Sequence, residues 1–127
     1  MIWYVAFGSA VGGAARYALS GLLQRLTATT FPVGTFVINV SGSFLLAFLL
    51  RVALRSPSVT PELRLALTTG FCGGFTTFST FSYEAMALIE SGAWPRATAY
   101  VLGSVLGSLA GALLGILLAR LIARGGA

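Results

Sequence analysis

Two stretches of this sequence, residues 26–50 and 97–119, contain no charged side chain. Each is long enough to cross a hydrocarbon core about 30 Å thick, which takes about 20 apolar residues in a helix. Over the whole chain, 57% of the residues are hydrophobic and 9% are charged. A soluble domain of this size could not cover itself with polar surface. The sequence therefore predicts an all-α integral membrane protein.

Dividing the chain at its charged residues predicts one transmembrane domain, residues 1–127, with four membrane-spanning helices. The expected spans are residues 2–23, 32–50, 63–89 and 97–119. The net charge of +5 comes from arginines that lie mostly between these runs, so we assign them to loops and not to a nucleic-acid site. Five arginines lie on the side of the termini and two on the other, which favours cytoplasmic termini: Arg51, Arg55, Arg64, Arg120 and Arg124 against Arg25 and Arg96.

The last span carries a ridge of glycines at strict four-residue spacing: Gly103, Gly107, Gly111 and Gly115. A ridge without side chains allows another backbone to approach closely. We expect this ridge to be a packing surface. Because four helices enclose little of a pore, we also expect it to form the interface of an obligate dimer.

Two stripes of polar side chains follow the same helical spacing, one in the second span and one in the fourth: Thr35, Asn39 and Ser43, then Tyr100, Ser104 and Ser108. Such groups either form hydrogen bonds within and between helices or line a path for water or ions. The spacing alone leaves both interpretations open.

Two charged residues, Arg16 and Glu84, fall well inside predicted spans. Arg16 is about 21 Å along the first helix at 1.5 Å per residue. At that depth its side chain either extends to the membrane surface or faces a partner or cavity. Glu84 is the only acidic residue inside a span, and pairing with Arg16 is one option for it.

The third span contains an unusual run, residues 68–82, which reads TTGFCGGFTTFSTFS. Adjacent glycines followed by β-branched threonines weaken a helix. Backbone groups freed at membrane depth are tolerated only where protein or an aqueous cavity satisfies them. We therefore expect this helix to be broken in its middle. Freed carbonyls would suit a cation, and the positive ring edges of Phe78 and Phe81 would suit an anion.

Three motifs of the chain resemble those of the small bacterial fluoride channels called Fluc or CrcB. They are GGAARY at residues 12–17, GTFVIN at residues 34–39 and GFCGGFTTFSTF at residues 70–81. The third motif is highly specific. The resemblance covers nearly the whole chain.

The resemblance implies a homodimer of two antiparallel subunits, embedded in membrane lipid, with two fluoride pores and one structural sodium ion at the interface. Main-chain carbonyls of Gly73 and Thr76 would bind the sodium, and Arg16 would make the pore entrance electropositive. By position in the motifs and polar stripes, the pore-lining residues would be Asn39, Phe78, Ser79, Thr80, Phe81, Glu84, Tyr100, Ser104 and Ser108.

The function expected from the residues and the resemblance is a passive, fluoride-selective channel in the bacterial cytoplasmic membrane, which exports fluoride and reduces its toxicity. The alternative is a small dimeric proton-coupled exporter of drugs or cations, centred on Glu84. A non-transporting assembly subunit is a third class, but it gives the glycine-threonine run no purpose. An enzyme is not expected, because the sequence contains no histidine and no nucleophile–base arrangement.

Overall fold

A computed structural model describes residues 1–126, and within that range the secondary structure is entirely helical. The α-helices are α1 (Ile2–Thr27), α2 (Val33–Arg55), α3 (Pro61–Leu65), α4 (Gly73–Phe75), α5 (Phe78–Glu90) and α6 (Trp94–Gly125). A π-helical segment, Ala66–Cys72, joins α3 to α4.

Two of these helices, α2 and α6, are long and apolar enough to cross a membrane. Helix α6 contains the whole uncharged stretch 97–119, and α2 contains residues 33–50 of the other, so the all-α architecture with apolar spans is confirmed there. Helix α2 continues to Arg55, beyond its expected end at Leu50, and Arg51 is therefore helical and not in a loop. The assignment of four spans stays a prediction.

The connection between α1 and α2 is organised by one side-chain amide. Gln24 Nε2 donates to the carbonyl oxygens of Thr29 (2.6 Å) and Phe31 (3.0 Å). Its Oε1 accepts the Gly34 N–H at 3.3 Å. Since the first backbone N–H groups of a helix lack intrahelical partners, this amide both closes the loop and starts α2.

Helix α6 packs along α2 through the predicted glycine ridge. A Cβ atom at Gly115 would overlap the Phe44 carbonyl oxygen, and one at Gly111 would lie 2.9 Å from the Val40 carbonyl oxygen. The ridge is thus confirmed as a close packing surface. The expectation that it forms the dimer interface is wrong, because α2 of the same chain already occupies it.

A second glycine-lined contact joins α1 to the π-helical segment and α4. A Cβ atom at Gly12 would overlap the Phe71 carbonyl oxygen, and one at Gly74 would lie 2.5 Å from the Ser9 carbonyl oxygen. Ser9 Oγ also donates to the Gly70 carbonyl oxygen at 3.3 Å. This contact holds the backbone that leads into the candidate site.

Little of the chain is fully buried. Ile38, Cys72 and Tyr100 are the largest side chains with almost no exposure. Large apolar side chains such as Trp3 and Leu106 lie exposed at many points along the helices. A surface this apolar requires lipid or another protein chain around it.

Candidate ion-binding site

The site is built around the two residues that separate α4 from α5. Thr76 and Thr77 are extended, with φ/ψ of −84°/157° and −151°/115°. The N–H and Oγ of Thr76 both donate to the Cys72 carbonyl oxygen, at 3.0 and 2.9 Å. Thr77 Oγ accepts the Thr80 N–H at 3.2 Å and caps α5. The threonine pair therefore ends one helix and starts the next.

Asn39 of α2 binds the main chain of Thr77 at two points. Asn39 Nδ2 donates to the Thr77 carbonyl oxygen at 3.0 Å, and the Thr77 N–H donates to Asn39 Oδ1 at 2.8 Å. In a continuous α-helix the Thr77 N–H would donate to the carbonyl of Gly73, four residues earlier. The Gly73 carbonyl therefore lacks its usual helical partner.

Arg16 lies against the end of α4. Its Nε donates to the Gly74 carbonyl oxygen at 3.1 Å, which satisfies one of the carbonyls left unpaired where a helix ends. The pairing of Arg16 with Glu84 considered from the sequence is wrong, because the two side chains bind other groups. The sequence did not reveal this carbonyl contact, since it depends on how α1 and α4 are placed.

Glu84 is held by two hydroxyl groups. Its Oε1 accepts from Thr35 Oγ at 2.8 Å, and its Oε2 accepts from the Tyr100 hydroxyl at 3.0 Å. Tyr100 is fully buried, with its ring edge-on to Phe31 at a centroid distance of 5.5 Å. The structure thus joins one member of each predicted polar stripe through a shared carboxylate.

Five of the residues expected to line a pore also line one groove of about 360 Å³: Asn39, Phe78, Phe81, Ser104 and Ser108. Within residues 1–126, the Oγ of Ser104 is buried without a hydrogen-bond partner. An unsatisfied buried hydroxyl costs about 1–3 kcal/mol, so this group is available to a ligand. The remaining polar groups of the groove come from the Thr76–Thr77 pair and Ser43.

The two phenylalanines after the threonine pair are neighbours but differ in burial. Their ring centroids are 5.5 Å apart. Phe81 is 8% exposed and packs on Tyr100, whereas Phe78 is 78% exposed. Ser79 and Thr80 form hydrogen bonds to Thr77 Oγ, at 3.3 and 3.0 Å. Those two hydroxyls therefore stabilise the start of α5.

Gly73 and Thr76, the expected cation ligands, line a second open concavity of about 330 Å³, which shares Thr76 with the groove. A Cβ atom at Gly73 would meet nothing within 4 Å, so this face is accessible. Among residues 1–126, no group of three His, Cys, Asp or Glu side chains is placed to hold a metal. A cation here would therefore depend on carbonyl and hydroxyl oxygens.

Comparisons with known proteins point in one direction. A family model described as "CrcB-like protein, Camphor Resistance (CrcB)" matches residues 3–116. A protein of Geobacter sulfurreducens named "Fluoride-specific ion channel FluC" is 50% identical over 101 residues, which cover 80% of this chain and 82% of the relative. Proteins of the same name from Anaeromyxobacter sp. (strain K) and Geotalea uraniireducens are 48% and 47% identical. Their matches cover 80% and 82% of this chain, and 80% and 84% of the relatives.

Proposed function

Because the chain belongs to the CrcB family, we propose that it forms a fluoride-specific ion channel. The observation that carries this proposal is the 50% identity to a relative of that name over 80% of the chain. The matched region includes the groove, the threonine pair and Asn39. The amide, hydroxyl and aromatic groups that line the groove are suited to a small anion.

Fluoride must lose water to pass such a groove, and this is the main energetic problem. Removing even a carboxylate-sized ion from water carries an idealised cost of order 20 kcal/mol. Several weak donors in series can offset that cost and still release the ion. The second N–H of Asn39, which Thr77 does not use, the hydroxyls of Ser104 and Ser108, and the ring edges of Phe78 and Phe81 would be those donors.

The channel would be passive, and its role would be to lower the fluoride concentration in the cytoplasm. Neutral hydrogen fluoride crosses lipid and ionises at near-neutral pH, which traps the anion inside the cell. An inside-negative potential favours exit by about 2.3 kcal/mol per 100 mV for each charge. No pump is then needed, and the bacterial cytoplasmic membrane is the expected location.

A structural sodium ion is the second part of the proposal. The Gly73 carbonyl has lost its helical donor to Asn39, and Arg16 occupies the neighbouring Gly74 carbonyl. The main-chain oxygens of Gly73 and Thr76 therefore fit a hard cation. Such an ion would add fixed positive charge beside the anion path.

The third part is an antiparallel homodimer in which each subunit contributes four spans. The open groove and the exposed apolar surface support it, because a lone subunit does not enclose the candidate path. A tag at the N-terminus should be labelled from both sides of the membrane. Labelling from one side only would contradict dual topology and make the five-against-two arginine bias the better guide.

The function is tested with purified protein in liposomes loaded with potassium fluoride and a fluoride electrode outside. Valinomycin should release fluoride without any proton gradient, and liposomes loaded with chloride should not release chloride. A proton-coupled exporter centred on Glu84 would instead need a proton gradient. If the unmodified protein released no fluoride under these conditions, the channel proposal would be refuted.

A further inference from the structure

We propose that Asn39 is a positioning residue for the cation site, because its side chain sets which carbonyls the interruption between α4 and α5 leaves free. This inference rests on the proposed cation at Gly73 and Thr76. It assigns Asn39 a task beyond donating to an anion in the groove.

The first step is the capture of the Thr77 N–H. That N–H donates to Asn39 Oδ1 at 2.8 Å, whereas helical geometry would direct it to the Gly73 carbonyl. If the Asn39 amide were absent, the Thr77 N–H would return to Gly73 and extend α4. The Gly73 carbonyl would then be shared with a backbone donor and would bind a cation less strongly.

The second step is the orientation of the Thr76–Thr77 peptide. Asn39 Nδ2 also holds the Thr77 carbonyl, at 3.0 Å, so one amide fixes both the N–H and the C=O of Thr77. Thr76 is extended, with ψ of 157°, and its carbonyl therefore departs from the helical direction. Helix α2 supports the same segment one turn later, where a Cβ atom at Gly42 would overlap Thr76 Cγ2.

The third step is the removal of a competing ligand. Arg16 Nε donates to the Gly74 carbonyl at 3.1 Å, so this oxygen already has a cationic partner. The proposed ligands are the Gly73 carbonyl, whose helical donor is held by Asn39, and the carbonyl of Thr76, the extended residue that follows α4. Asn39 and Arg16 therefore act on neighbouring carbonyls of the same helix end. One frees a carbonyl, and the other occupies its neighbour.

The test measures sodium binding through thermal unfolding of the full-length protein in detergent. Sodium replaces N-methyl-D-glucamine at constant ionic strength, and the sodium-dependent rise in unfolding midpoint is recorded. A ligand that binds the folded state raises its stability according to its affinity. In Asn39→Ala, reaching half of the rise should take at least about tenfold more sodium, a change typical of lost support for metal ligands.

The matched control is Ser43→Ala, one turn further along α2. Ser43 lines the same groove, but its Oγ donates only to the Asn39 carbonyl of its own helix, so the sodium dependence should match the parent. A general loss of stability would lower the midpoint equally in both cations. If Asn39→Ala yields no folded protein, Asn39→Thr replaces it. Threonine fills much of the space but cannot bind both the N–H and the C=O of Thr77, so it should raise the sodium requirement in the same way.

An Asn39 variant with the parent's sodium dependence would overturn the inference, as would a parent that shows no response to sodium. Fluoride efflux is measured separately on the same preparations. If the parent binds sodium and Asn39→Ala weakens that binding, but the parent does not conduct fluoride, the channel is refuted and this inference stands. If the parent conducts fluoride but the Asn39 variants keep its sodium dependence, this inference is refuted and the channel stands.

Discussion

The subunit contains two glycine-lined helix contacts that serve different purposes. Where α6 meets α2, two regular helices approach through Gly111 and Gly115, and the nearby hydroxyls of Ser41 and Ser43 donate to carbonyls of their own helix. Where α1 meets the π-helical segment and α4, the approach is equally close, but Ser9 and Arg16 donate to main-chain carbonyls across the contact.

The difference shows two uses of close helix–helix contact in a membrane protein. Small residues alone allow van der Waals packing between helices. Combined with polar side chains, they allow one helix to satisfy the irregular backbone of another, which is a requirement at membrane depth. A π-helical segment is itself an irregularity that often occurs at functional sites. The contact of α1 is therefore the one that supports the site.

The largest effect is expected from Gly12→Ala, in the contact of α1. The new Cβ atom would overlap the Phe71 carbonyl oxygen, and that backbone cannot move without shifting the segment that leads to Gly73. We expect a loss of about 3 kcal/mol or more in the free energy of unfolding, at the upper end for overpacking, measured by thermal unfolding in detergent.

Gly13→Ala is the matched control for this substitution. Its Cβ atom would lie 4.0 Å from the Gly74 carbonyl oxygen, with nothing closer. Helix propensity should make it neutral or stabilising by up to about 1 kcal/mol. Equal losses in the two variants would show that the close approach at Gly12 is not what matters.

A smaller effect is expected from Gly115→Ala in the contact of α6. The Cβ atom would overlap the Phe44 carbonyl oxygen, at a cost of about 1–3 kcal/mol, but the folded fraction should conduct fluoride as the parent does. Gly103→Ala is the control, because its Cβ atom would lie 3.7 Å from the Phe36 ring. An intact subunit that no longer dimerises would return the ridge to the role of a subunit interface.

Much of this comparison could be predicted from local sequence. Strict four-residue spacing indicated the ridge on α6, and adjacent glycines before paired threonines indicated an irregular third span. The partner of the ridge could not be predicted, because spacing within one helix does not say which helix packs on it. The same spacing joins Gly8 to Gly12, and it could have revealed the contact of α1.

The candidate site shows the same limit. The positions of Asn39, Glu84 and Tyr100 marked them as polar groups that need partners. Their partners could not be predicted, since the Thr77 main chain and the Thr35 hydroxyl lie on other helices, at 38 and 49 residues' separation from Asn39 and Glu84 respectively. The contact of Arg16 with a carbonyl is of the same kind.

The aromatic residues after the threonine pair test whether this region does more than pack. Phe78→Ile keeps bulk and hydrophobicity but removes the ring edge, so fluoride efflux should fall at least about tenfold, or about 1.4 kcal/mol on the barrier. Because Phe78 is 78% exposed in the subunit, its replacement should leave the subunit stable. Phe81→Ile should lower efflux as well, with some loss of packing on Tyr100.

Phe71→Ile is the control for these variants, because Phe71 precedes the interruption and stacks on Phe75 at a centroid distance of 5.6 Å. Its efflux should match the parent. If all three variants conduct like the parent, ring edges do not stabilise the ion, and the hydroxyls and Asn39 must do so without them.

The smallest effect is expected from Thr76→Ser, at the centre of the region that α1 and α2 support. Serine keeps the hydroxyl that donates to the Cys72 carbonyl at 2.9 Å and loses only the methyl group that abuts Gly42. The loss of stability should be about 1 kcal/mol, as for removal of one packed methyl group.

Because the proposed ligand at Thr76 is its main-chain carbonyl, the sodium dependence of unfolding should not change in Thr76→Ser. Thr76→Val sharpens this point, since it keeps the branched shape and loses the hydroxyl. It should destabilise the protein at every sodium concentration by a similar amount. A shift in sodium dependence for either variant would mean that the Thr76 side chain takes part in cation binding. The interruption between α4 and α5 would then supply a side-chain ligand as well as main-chain carbonyls.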